Sequence, residues 1–490
     1  MAEMTEVTEI ENGYSQLPEL SLPARRRTKI VATLGPATSD RRVLDGMVAA
    51  GMDVARINLS HGRLDEHEAA IAAVRRAAAE RGAPLAVLVD LPGPKLRLGE
   101  LAEPVAVRTG QCVTLGASAD VELPVNFPEL LDHLCPGELV LIDDGAVALR
   151  VSEAVDEHVT LEALNDGTIE SRKGVNLPDT RLPIAALTDT DRRLLAWAMG
   201  QDVDYVALSF VRSADDVREL KELIADAGGD QLVVAKIEKR EALSAYDDIV
   251  AAADAVMIAR GDLGVEIDPA TVPIWQKRII HAANIAGKPV ITATQMLQSM
   301  ISFPRPTRAE ASDVANAIYD ATSAVMLSGE TAIGRYPVAA IETMAEIALA
   351  VEADIEREGR APRPWLKRRC GVSEAISCGA CEVAERIGAA AIVSATFSGA
   401  TARAVARHLP ARPIVAISPH QRVVNQLALS WGVHPLLGDE RGSFEEVVRE
   451  AVELVVSRGL ARRGDVVVIT AGLQTNLPGK TNLIKAHVLS

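Results

Sequence analysis

Short apolar runs, rich in Val, Ile and Ala, recur along the chain, and helical patterns separate them. Gly, Pro or Asp bounds most of the runs, which is typical of parallel β-strands that are buried on both faces. Eight such runs stand at 29–34, 53–57, 85–90, 203–209, 232–237, 255–259, 289–294 and 323–327. Eight strands alternating with helices predict an α/β fold, a (β/α)8 barrel with its chemistry at the carboxyl ends of the strands. A doubly wound sheet uses similar pieces, so the count alone leaves both folds open.

The third and fourth runs are separated by about one hundred residues, far more than a strand-to-helix connection needs. Short strand-like segments fill this gap between Gly, Asp and Pro turns, with hardly any helical pattern. They stand at 105–107, 112–115, 139–142, 146–151 and 159–164. We therefore predict a small β domain over residues 93–182, inserted into a barrel made of residues 25–92 and 183–358.

A third region follows the barrel. A helical pattern over 336–358 leads into 359–364, a linker rich in Pro, Arg and Gly. Beyond the linker, strand-like runs alternate with helices, which predicts a C-terminal α/β domain over residues 365–490. These runs stand at 390–395, 413–418 and 465–470.

Net charge and composition limit the kinds of molecule that the chain is expected to bind. The chain of 490 residues has a formal net charge of −16, which argues against a nucleic-acid or membrane-surface binder, because these carry a basic face. Its five cysteines are too scattered for a disulfide framework, and no apolar run is long enough to span a membrane, so we expect a cytoplasmic protein. Residues 1–24 contain five Glu and no Lys or Arg, and we predict a flexible acidic tail.

One cysteine pair is a weak candidate for a metal site. Cys378 and Cys381 lie one turn apart on a helix predicted over 373–387. No further ligands stand at a suitable spacing, so we interpret the two cysteines as small buried side chains.

Polar residues with a clear chemistry stand where two neighbouring strands end. The run at 232–237 ends in A-K-I-E, and the period of a strand puts Lys236 and Glu238 on one face. The next run ends in A-R-G-D-L-G, which brings Gly261 and Asp262 to the same rim. Two carboxylates from adjacent strand ends can hold one Mg2+, and amides at a helix start can bind a carboxylate. The alternative for Lys236 and Glu238 is a surface salt bridge.

Other strand ends carry polar residues at the same rim. In A-R-I-N-L-S-H-G, residues Arg56, Asn58 and Ser60 alternate on one face, whereas His61 is more typical of a loop histidine. Single polar residues at strand ends are usually caps or turns, but their occurrence on most of the eight strands favours a common site. The seventh and eighth runs end in T-A-T and M-L-S-G-E-T, which contribute Thr294, Ser328 and Glu330.

These strand ends lie within motifs that closely resemble the pyruvate kinases. The motifs are R-I-N-L-S-H-G, K-I-E-K-R-E, A-R-G-D-L-G-V-E, A-T-Q-M-L-Q-S-M, P-R-P-T-R-A-E-A-S-D-V-A-N-A and V-M-L-S-G-E-T-A-I-G-R-Y-P. The resemblance covers residues 27–490, and P-T-R-A-E at 306–310 is close to diagnostic. It implies a (β/α)8 TIM barrel, an inserted β-barrel lid domain, a C-terminal α/β domain and a homotetramer. It also implies transfer of the phosphoryl group of phosphoenolpyruvate to ADP in glycolysis, with Mg2+ or Mn2+ as cofactor.

The same resemblance implies a role for each motif residue. Glu238 and Asp262 would hold the divalent cation. The residues expected to bind phosphoenolpyruvate are Arg56, Lys236, Gly261, Asp262 and Thr294. The residues expected to approach ADP are Arg56, Asn58, His61, Arg97 and Lys173, with the β domain closing as a lid. Lys236 would stabilise the enolate, and Thr294, Ser328 and Glu330 could belong to the path of the proton.

The stretch V-D-L-P-G-P-K-L-R-L-G, at 89–99, departs from the family pattern. In potassium-requiring members it reads Asp-Thr-Lys-Gly-Pro-Glu, and K+ sits on residues matching Asn58, Ser60, Asp90 and the carbonyl of Leu91. Here Lys95 replaces the glutamate. Our hypothesis is that the Lys95 ammonium takes the place of the ion, so that K+ is not required. The alternative is a surface lysine beside the lid hinge.

Two C-terminal segments, T-F-S-G-A-T-A-R at 396–403 and L-P-G-K-T-N at 477–482, resemble a phosphate cradle. In pyruvate kinases the loop matching 396–401 commonly binds an allosteric effector, a sugar phosphate or nucleotide; the alternative is a loop that only caps its helix. The effector residues would be Thr396, Ser398, Gly399 and Thr401.

Two other functions stay open from the sequence. A barrel lyase or aldolase acting on pyruvate or phosphoenolpyruvate would lack the inserted domain and the contacts of Arg97 and Lys173. A regulatory pseudokinase would require loss of a central residue, whereas Lys236, Glu238, Asp262 and Thr294 are all present.

Overall fold

The computed structural model describes residues 26–118, 121–155, 158–358, 370–440, 443–472 and 481–489. The predicted acidic tail, the predicted linker and most of the L-P-G-K-T-N segment lie outside these residues.

The first three strands of a parallel barrel come before the inserted domain. They are β1 (Lys29–Thr33), β2 (Val54–Asn58) and β3 (Ala86–Asp90), with the helices α1 (Arg41–Ala50) and α2 (Leu64–Arg81) between them. The ends of α1 follow from local chemistry. The Asp40 carboxylate accepts the amide of Arg42 at the start, and Gly51 adopts a left-handed conformation at the end.

The inserted domain consists of short strands, as predicted; most pairs are antiparallel, and β5 and β6 pair in parallel. They are β4 (Val105–Val107), β5 (Cys112–Gly116), β6 (Leu123–Pro124), β7 (Leu139–Ile142), β8 (Val147–Val155), β9 (His158–Ala163), β10 (Gly167–Ile169) and β11 (Val175–Asn176). Six of them form one sheet in the order β11-β7-β8-β9-β5-β6, and β10 pairs with β4. Isolated bridges join Arg97 to Gly174 and Leu98 to Val125, so residues 97–98 link the two edges and the sheet curls on itself. Its core is separate from that of the barrel.

Both connections to the inserted domain are anchored on the barrel. Gly93, in the Pro-Gly-Pro turn, has a φ of 65°, and its amide donates to the buried carboxylate of Asp191 at 3.0 Å. On the return side, the Arg212 guanidinium donates to the carbonyl of Leu182 at 2.9 Å. Hydrogen bonds to the barrel therefore hold both connections.

The remaining strands close the barrel. They are β12 (Tyr205–Leu208), β13 (Leu232–Ile237), β14 (Ala255–Ala259), β15 (Val290–Ala293) and β16 (Ala324–Leu327). The ladder runs β1-β16-β15-β14-β13-β12-β3-β2 and returns to β1, which confirms the (β/α)8 barrel and excludes the doubly wound sheet. Strand ends differ from the predicted ones by at most two residues. The helices are α3 (Asp189–Met199), α4 (Ala214–Asp226), α5 (Arg240–Ser244), α6 (Tyr246–Ala252), α7 (Arg260–Glu266), α8 (Val272–Ala286), α9 (Arg308–Tyr319), α10 (Gly329–Ala332) and α11 (Pro337–Glu358).

The C-terminal region is an α/β sheet, as predicted. Its elements are α12 (Val372–Arg386), β17 (Ala391–Ala395), α13 (Ala400–Ala406), β18 (Ile414–Ser418), α14 (Gln421–Gln426), β19 (Val433–Leu437), α15 (Phe444–Ser457), β20 (Val466–Ala471) and β21 (Leu483–Val488). The strand order is β19-β18-β17-β20-β21. Cys381 is buried in this core, and within the described residues no group of three or more metal-ligating side chains occurs.

This C-terminal region packs against the amino end of the barrel. Ala428 and Leu429 join the buried cluster that fills the barrel interior, and the Tyr205 hydroxyl donates to the carbonyl of Gln426 at 2.5 Å. The carboxyl end of the barrel is therefore left to the inserted domain. Over the described ranges, no helix has the length and apolar content needed to cross a bilayer.

Candidate active site

Lys236 lies at the centre of the carboxyl rim. Its Nζ donates to Ser209 Oγ at 2.6 Å, and lies 3.2 Å from Glu238 Oε2 and 3.5 Å from Asp90 Oδ1. Burial alone would lower the pKa of Lys236, but the carboxylates of Asp90, Glu238 and Asp262 outweigh burial and raise it. The side chain is thus held as a buried cation.

The two carboxylate oxygens of Glu238 differ in their contacts. Oε1 accepts the amide of Phe210 at 2.6 Å, whereas Oε2 has no hydrogen-bond partner among the described residues and only the ion pair with Lys236. Burial raises the pKa of Glu238, and the negative charge of Asp262, in the first turn of α7, raises it further. A buried and a half-buried carboxylate that repel each other, one of them with an oxygen that accepts no hydrogen bond from the described residues, fit a divalent cation.

A second buried carboxylate organises the other side of the rim. Asp90, at the end of β3, is 1% exposed, and its Oδ2 accepts Arg56 Nε at 2.8 Å. Arg56 also donates through Nη1 to Thr33 Oγ1 at 2.9 Å. Burial would raise the pKa of Asp90, but Lys236 and Arg56 outweigh burial and lower it. Asp90 therefore links the two predicted substrate cations.

Thr294 is held in an unusual conformation beside Gly261. Its φ is 68°, and its Oγ1 accepts the amide of Gly261 at 2.6 Å. Arg260 fixes this turn by donating to the carbonyls of Ala293 at 3.2 Å and Thr294 at 2.9 Å. Arg260 is in turn paired with Asp313. The predicted Gly261 amide is thus engaged by Thr294 in this structure.

Glu330 and Ser328 lie at the end of β16. Glu330 is fully buried, and its two oxygens accept the amides of Leu297 at 3.1 Å and Ser328 at 2.7 Å. Because both oxygens are occupied by backbone donors, Glu330 joins the ends of the seventh and eighth barrel strands.

Lys95 contacts Ser60, one of the four residues predicted to match a potassium site. Its Nζ donates to Ser60 Oγ at 3.1 Å, and the amide of Ser60 donates to Asn58 Oδ1 at 3.2 Å. The carbonyl of Leu91 accepts Ser209 Oγ at 2.7 Å. Burial, Lys236 and Arg97 lower the pKa of Lys95, against the opposing effect of Asp262 and Asp90.

A cleft of about 280 Å³ separates the inserted domain from the rim. Lys95, Arg97, Lys173 and Asp262 line it. Lys173 Nζ lies 3.0 Å from Asp143 Oδ2. Burial and the positive charges of Lys95, Arg97 and Arg56 lower the pKa of His61. The cleft therefore brings together Arg97 and Lys173 of the predicted nucleotide residues and Asp262 of the predicted metal residues.

The predicted effector loop belongs to the other end of the molecule. It follows β17, Gly399 has a φ of 80°, and Thr401 Oγ1 is 2.7 Å from Thr481 Oγ1. The Ser398 carbonyl accepts Arg403 Nη2 at 2.8 Å. Thr396 is buried.

Sequence reasoning missed three residues of the site. Ser209 holds Lys236, the amide of Phe210 holds Glu238, and Arg260 holds Thr294. A signal was present for two of them. Ser209 was the last residue of a predicted strand, and Arg260 stands within the A-R-G-D motif.

Comparisons with known proteins agree with this architecture. A family model described as "Pyruvate kinase, barrel domain" matches residues 25–341, and one described as "Pyruvate kinase, alpha/beta domain" matches residues 374–487. A pyruvate kinase of Clostridium acetobutylicum is 38% identical over 471 residues, which cover 95% of this chain and 100% of the relative. One of Geobacillus stearothermophilus is 42% identical over 476 residues, covering 95% and 81%. A crystal structure of a pyruvate kinase from Cryptosporidium parvum superposes with a TM-score of 0.89 at 33% identity, covering 95% of this chain and 96% of that one.

Proposed function

The chain belongs to the pyruvate kinase family, and we propose that it transfers the phosphoryl group of phosphoenolpyruvate to ADP, giving pyruvate and ATP. It is a phosphotransferase of glycolysis that uses a divalent metal. The observation that carries the assignment of the site is the group of Lys236, Glu238 and Asp262 at the carboxyl rim, below the inserted domain.

Glu238 and Asp262 would hold the divalent cation, Mg2+ or Mn2+. The free oxygen of Glu238 and the like charge of Asp262 support this. When bound, the cation would neutralise charge on the oxygens of phosphoenolpyruvate. Lys236 and Arg56 would flank the phosphoryl group as fixed cations, since Asp90 holds both of them in place. Phosphoryl transfer depends mainly on such positioning and charge neutralisation.

The substrate carboxylate would meet the helix start at Gly261 and Asp262. The Gly261 amide now donates to Thr294 Oγ1, so binding would exchange this bond for one to the substrate. Arg260 supports this step because it holds the Thr294 backbone independently of the hydroxyl. Lys236 would then stabilise the enolate left after transfer.

The proton that completes pyruvate would arrive near Thr294 and Ser328. Glu330 would contribute by positioning, because both of its oxygens accept backbone amides. ADP would enter the cleft under the inserted domain, near Asn58, His61, Arg97 and Lys173. The basic lining of the cleft supports this, and closing of the lid would exclude water.

We also propose that the enzyme does not require K+. The Lys95 ammonium donates a hydrogen bond to Ser60 Oγ, which matches one of the oxygens that bind potassium in the family. A permanent cation at this position would take over the electrostatic role of the ion.

Further proposals concern the rest of the chain. The loop of Thr396, Ser398, Gly399 and Thr401 would bind a sugar-phosphate or nucleotide effector, which its strand–loop–helix form supports. We further propose a homotetramer in the cytoplasm, with the domain limits predicted above and with none of the five cysteines in a disulfide bond.

One assay tests the activity. Pyruvate formation from phosphoenolpyruvate and ADP would be coupled to lactate dehydrogenase, with Mg2+ and with KCl replaced by tetramethylammonium chloride. Candidate sugar phosphates would be added in parallel. ADP-dependent pyruvate release is expected, and absence of ADP-dependent release would contradict the kinase assignment.

A further inference from the structure

A small cavity lies between the amino end of the barrel and the C-terminal region. Its volume is about 20 Å³, and it is lined by the segment before β15, the start of β16 and the helix α13. The polar lining residues used below are Lys288, Ser323, Arg403, Arg407 and Ser430. It lies at the opposite end of the barrel from Lys236.

Cations outnumber carboxylates in this cavity. Lys288 Nζ makes no ion pair or hydrogen bond with any residue that the structure describes, although Asp254 acts on it electrostatically. Arg403 donates through Nη2 to the Ser398 carbonyl, while its buried Nη1 has no hydrogen-bond partner among the described residues. Arg407 is already engaged, by Glu374 at 3.4 Å. Two cationic side chains that keep unused donors therefore line the cavity.

A buried hydroxyl gives an independent indication of a ligand. Ser430 is 1% exposed, and its Oγ has no hydrogen-bond partner within the described part of the chain. A buried polar group without a partner is costly, so such a group usually marks a place where water or a ligand completes the contacts. Ser430 and the two cations line one cavity, and all of them can donate.

We propose that this cavity binds a small tetrahedral oxyanion, inorganic phosphate or the phosphoryl end of a small monoester, between Lys288, Arg403 and Ser430. Charge-assisted donors from Lys and Arg together with a hydroxyl are the groups that bind phosphate oxygens in proteins. The volume admits groups of the size of a water molecule, so oxygens of the anion would enter and the remainder would face solvent.

An anion in this cavity would lie next to two parts of the proposed mechanism, the effector loop and strand β15. Arg403 holds the carbonyl of Ser398 in the predicted effector loop. Lys288 stands just before β15, which ends next to Thr294. An anion here would therefore join the C-terminal region to a barrel strand that leads to the rim, at a place distinct from the effector loop.

Calorimetric titration of the full chain with inorganic phosphate tests the proposal. Phosphoenolpyruvate is left out of the titration because it is itself a phosphate monoester, and any phosphate bound at the rim contributes equally to wild type and variants. We expect saturable binding in the millimolar range, weakened at least about tenfold in Lys288→Met and in Ser430→Ala, because each loses a direct donor. Lys277→Met is the matched control, since this exposed lysine on α8 pairs only with Asp320, and its affinity should change less than about twofold.

Equal affinity of wild type and Lys288→Met would overturn the proposal, because the phosphate would then bind elsewhere, as at the effector loop. Absence of saturable binding to wild type would overturn it too. Methyl phosphate titrated in parallel separates the two sources: comparable binding indicates a phosphoryl group, and loss of binding indicates the free ion. If Lys288→Met does not fold, anomalous scattering from selenate in wild-type crystals decides, with a peak beside Lys288 and Arg403 expected and its absence contradicting the site.

Discussion

Replacing Lys95 by glutamate tests whether the lysine ammonium does the work of a potassium ion. Lys95 is half-buried, donates to Ser60 Oγ at 3.1 Å, and interacts with the charges of Asp90 and Asp262. Lys95→Glu removes a cation and adds an anion among these carboxylates. We expect the loss to fall on the binding and transfer of an anionic phosphoryl group.

The magnitude follows from Coulomb's law. A unit charge at roughly 6 Å with an effective dielectric constant of about 20 contributes about 3 kcal/mol. Charge reversal would double this value, but solvent and counter-ions screen a half-exposed group strongly, and we reduce the net effect to about 2 kcal/mol. At 1.36 kcal/mol per factor of ten, kcat/KM for phosphoenolpyruvate should fall about 30-fold without K+.

The assay compares KCl with tetramethylammonium chloride at constant ionic strength, Mg2+ and ADP. Wild type should respond equally to both salts, whereas Lys95→Glu should regain activity only with K+. Lys277→Glu, an equal charge reversal on the outer helix α8, should remain indifferent to the choice of salt. Strong activation of wild type by K+, or a Lys95→Glu enzyme that K+ does not affect, would refute the reasoning.

Two further substitutions test the rim. Lys236→Met should leave phosphoenolpyruvate binding measurable by calorimetry but lower kcat by at least about 1,000-fold, because the substitution removes the central cation. Turnover like that of wild type would show that Lys236 has no part in the mechanism. Ser209→Ala should lower kcat about tenfold or more with little change in KM, because the Ser209 hydroxyl orients Lys236 Nζ without touching substrate. A change in KM alone would contradict this positioning role. Ser209→Thr, which keeps a hydroxyl, is the control.

All eight barrel strands could be predicted from the sequence, whereas several shorter or less buried strands could not. Barrel strands are buried on both faces, so their apolar runs are continuous and their ends are marked by Gly, Pro or Asp. The strands β6, β10 and β11 have only two or three residues, too few for any period to appear. The strands β19 and β21 were missed because Pro435 interrupts one, and Lys485 and His487 make the other largely exposed.

Some contacts of the candidate site could likewise be predicted from the sequence, and others could not. The period of a strand and the family motifs together predicted Lys236, Glu238 and Asp262 near one another, and the electrostatic coupling in the structure agrees with that arrangement. The amide that binds Glu238 belongs to Phe210, whose φ of 57° aims its N–H at the carboxylate, and any side chain could carry such an amide. Arg260 acts through two carbonyls across a turn, a contact that needs the fold before it can be recognised.

The charge balance of the rim sharpens the test of Lys95. Four cations, Arg56, Lys95, Arg97 and Lys236, and three carboxylates, Asp90, Glu238 and Asp262, interact at the rim before metal and substrate arrive. Lys95→Glu makes the rim two charge units more negative than in wild type, and one K+ offsets only half of this change, whereas Lys95→Met makes it one unit more negative, which one K+ offsets in full. The glutamate variant should therefore bind K+ more tightly but recover less of the wild-type rate, and the methionine variant should need more K+ but recover more of it. Equal half-saturation by K+ in the two variants would show that the summed charge of the rim does not govern the cation site.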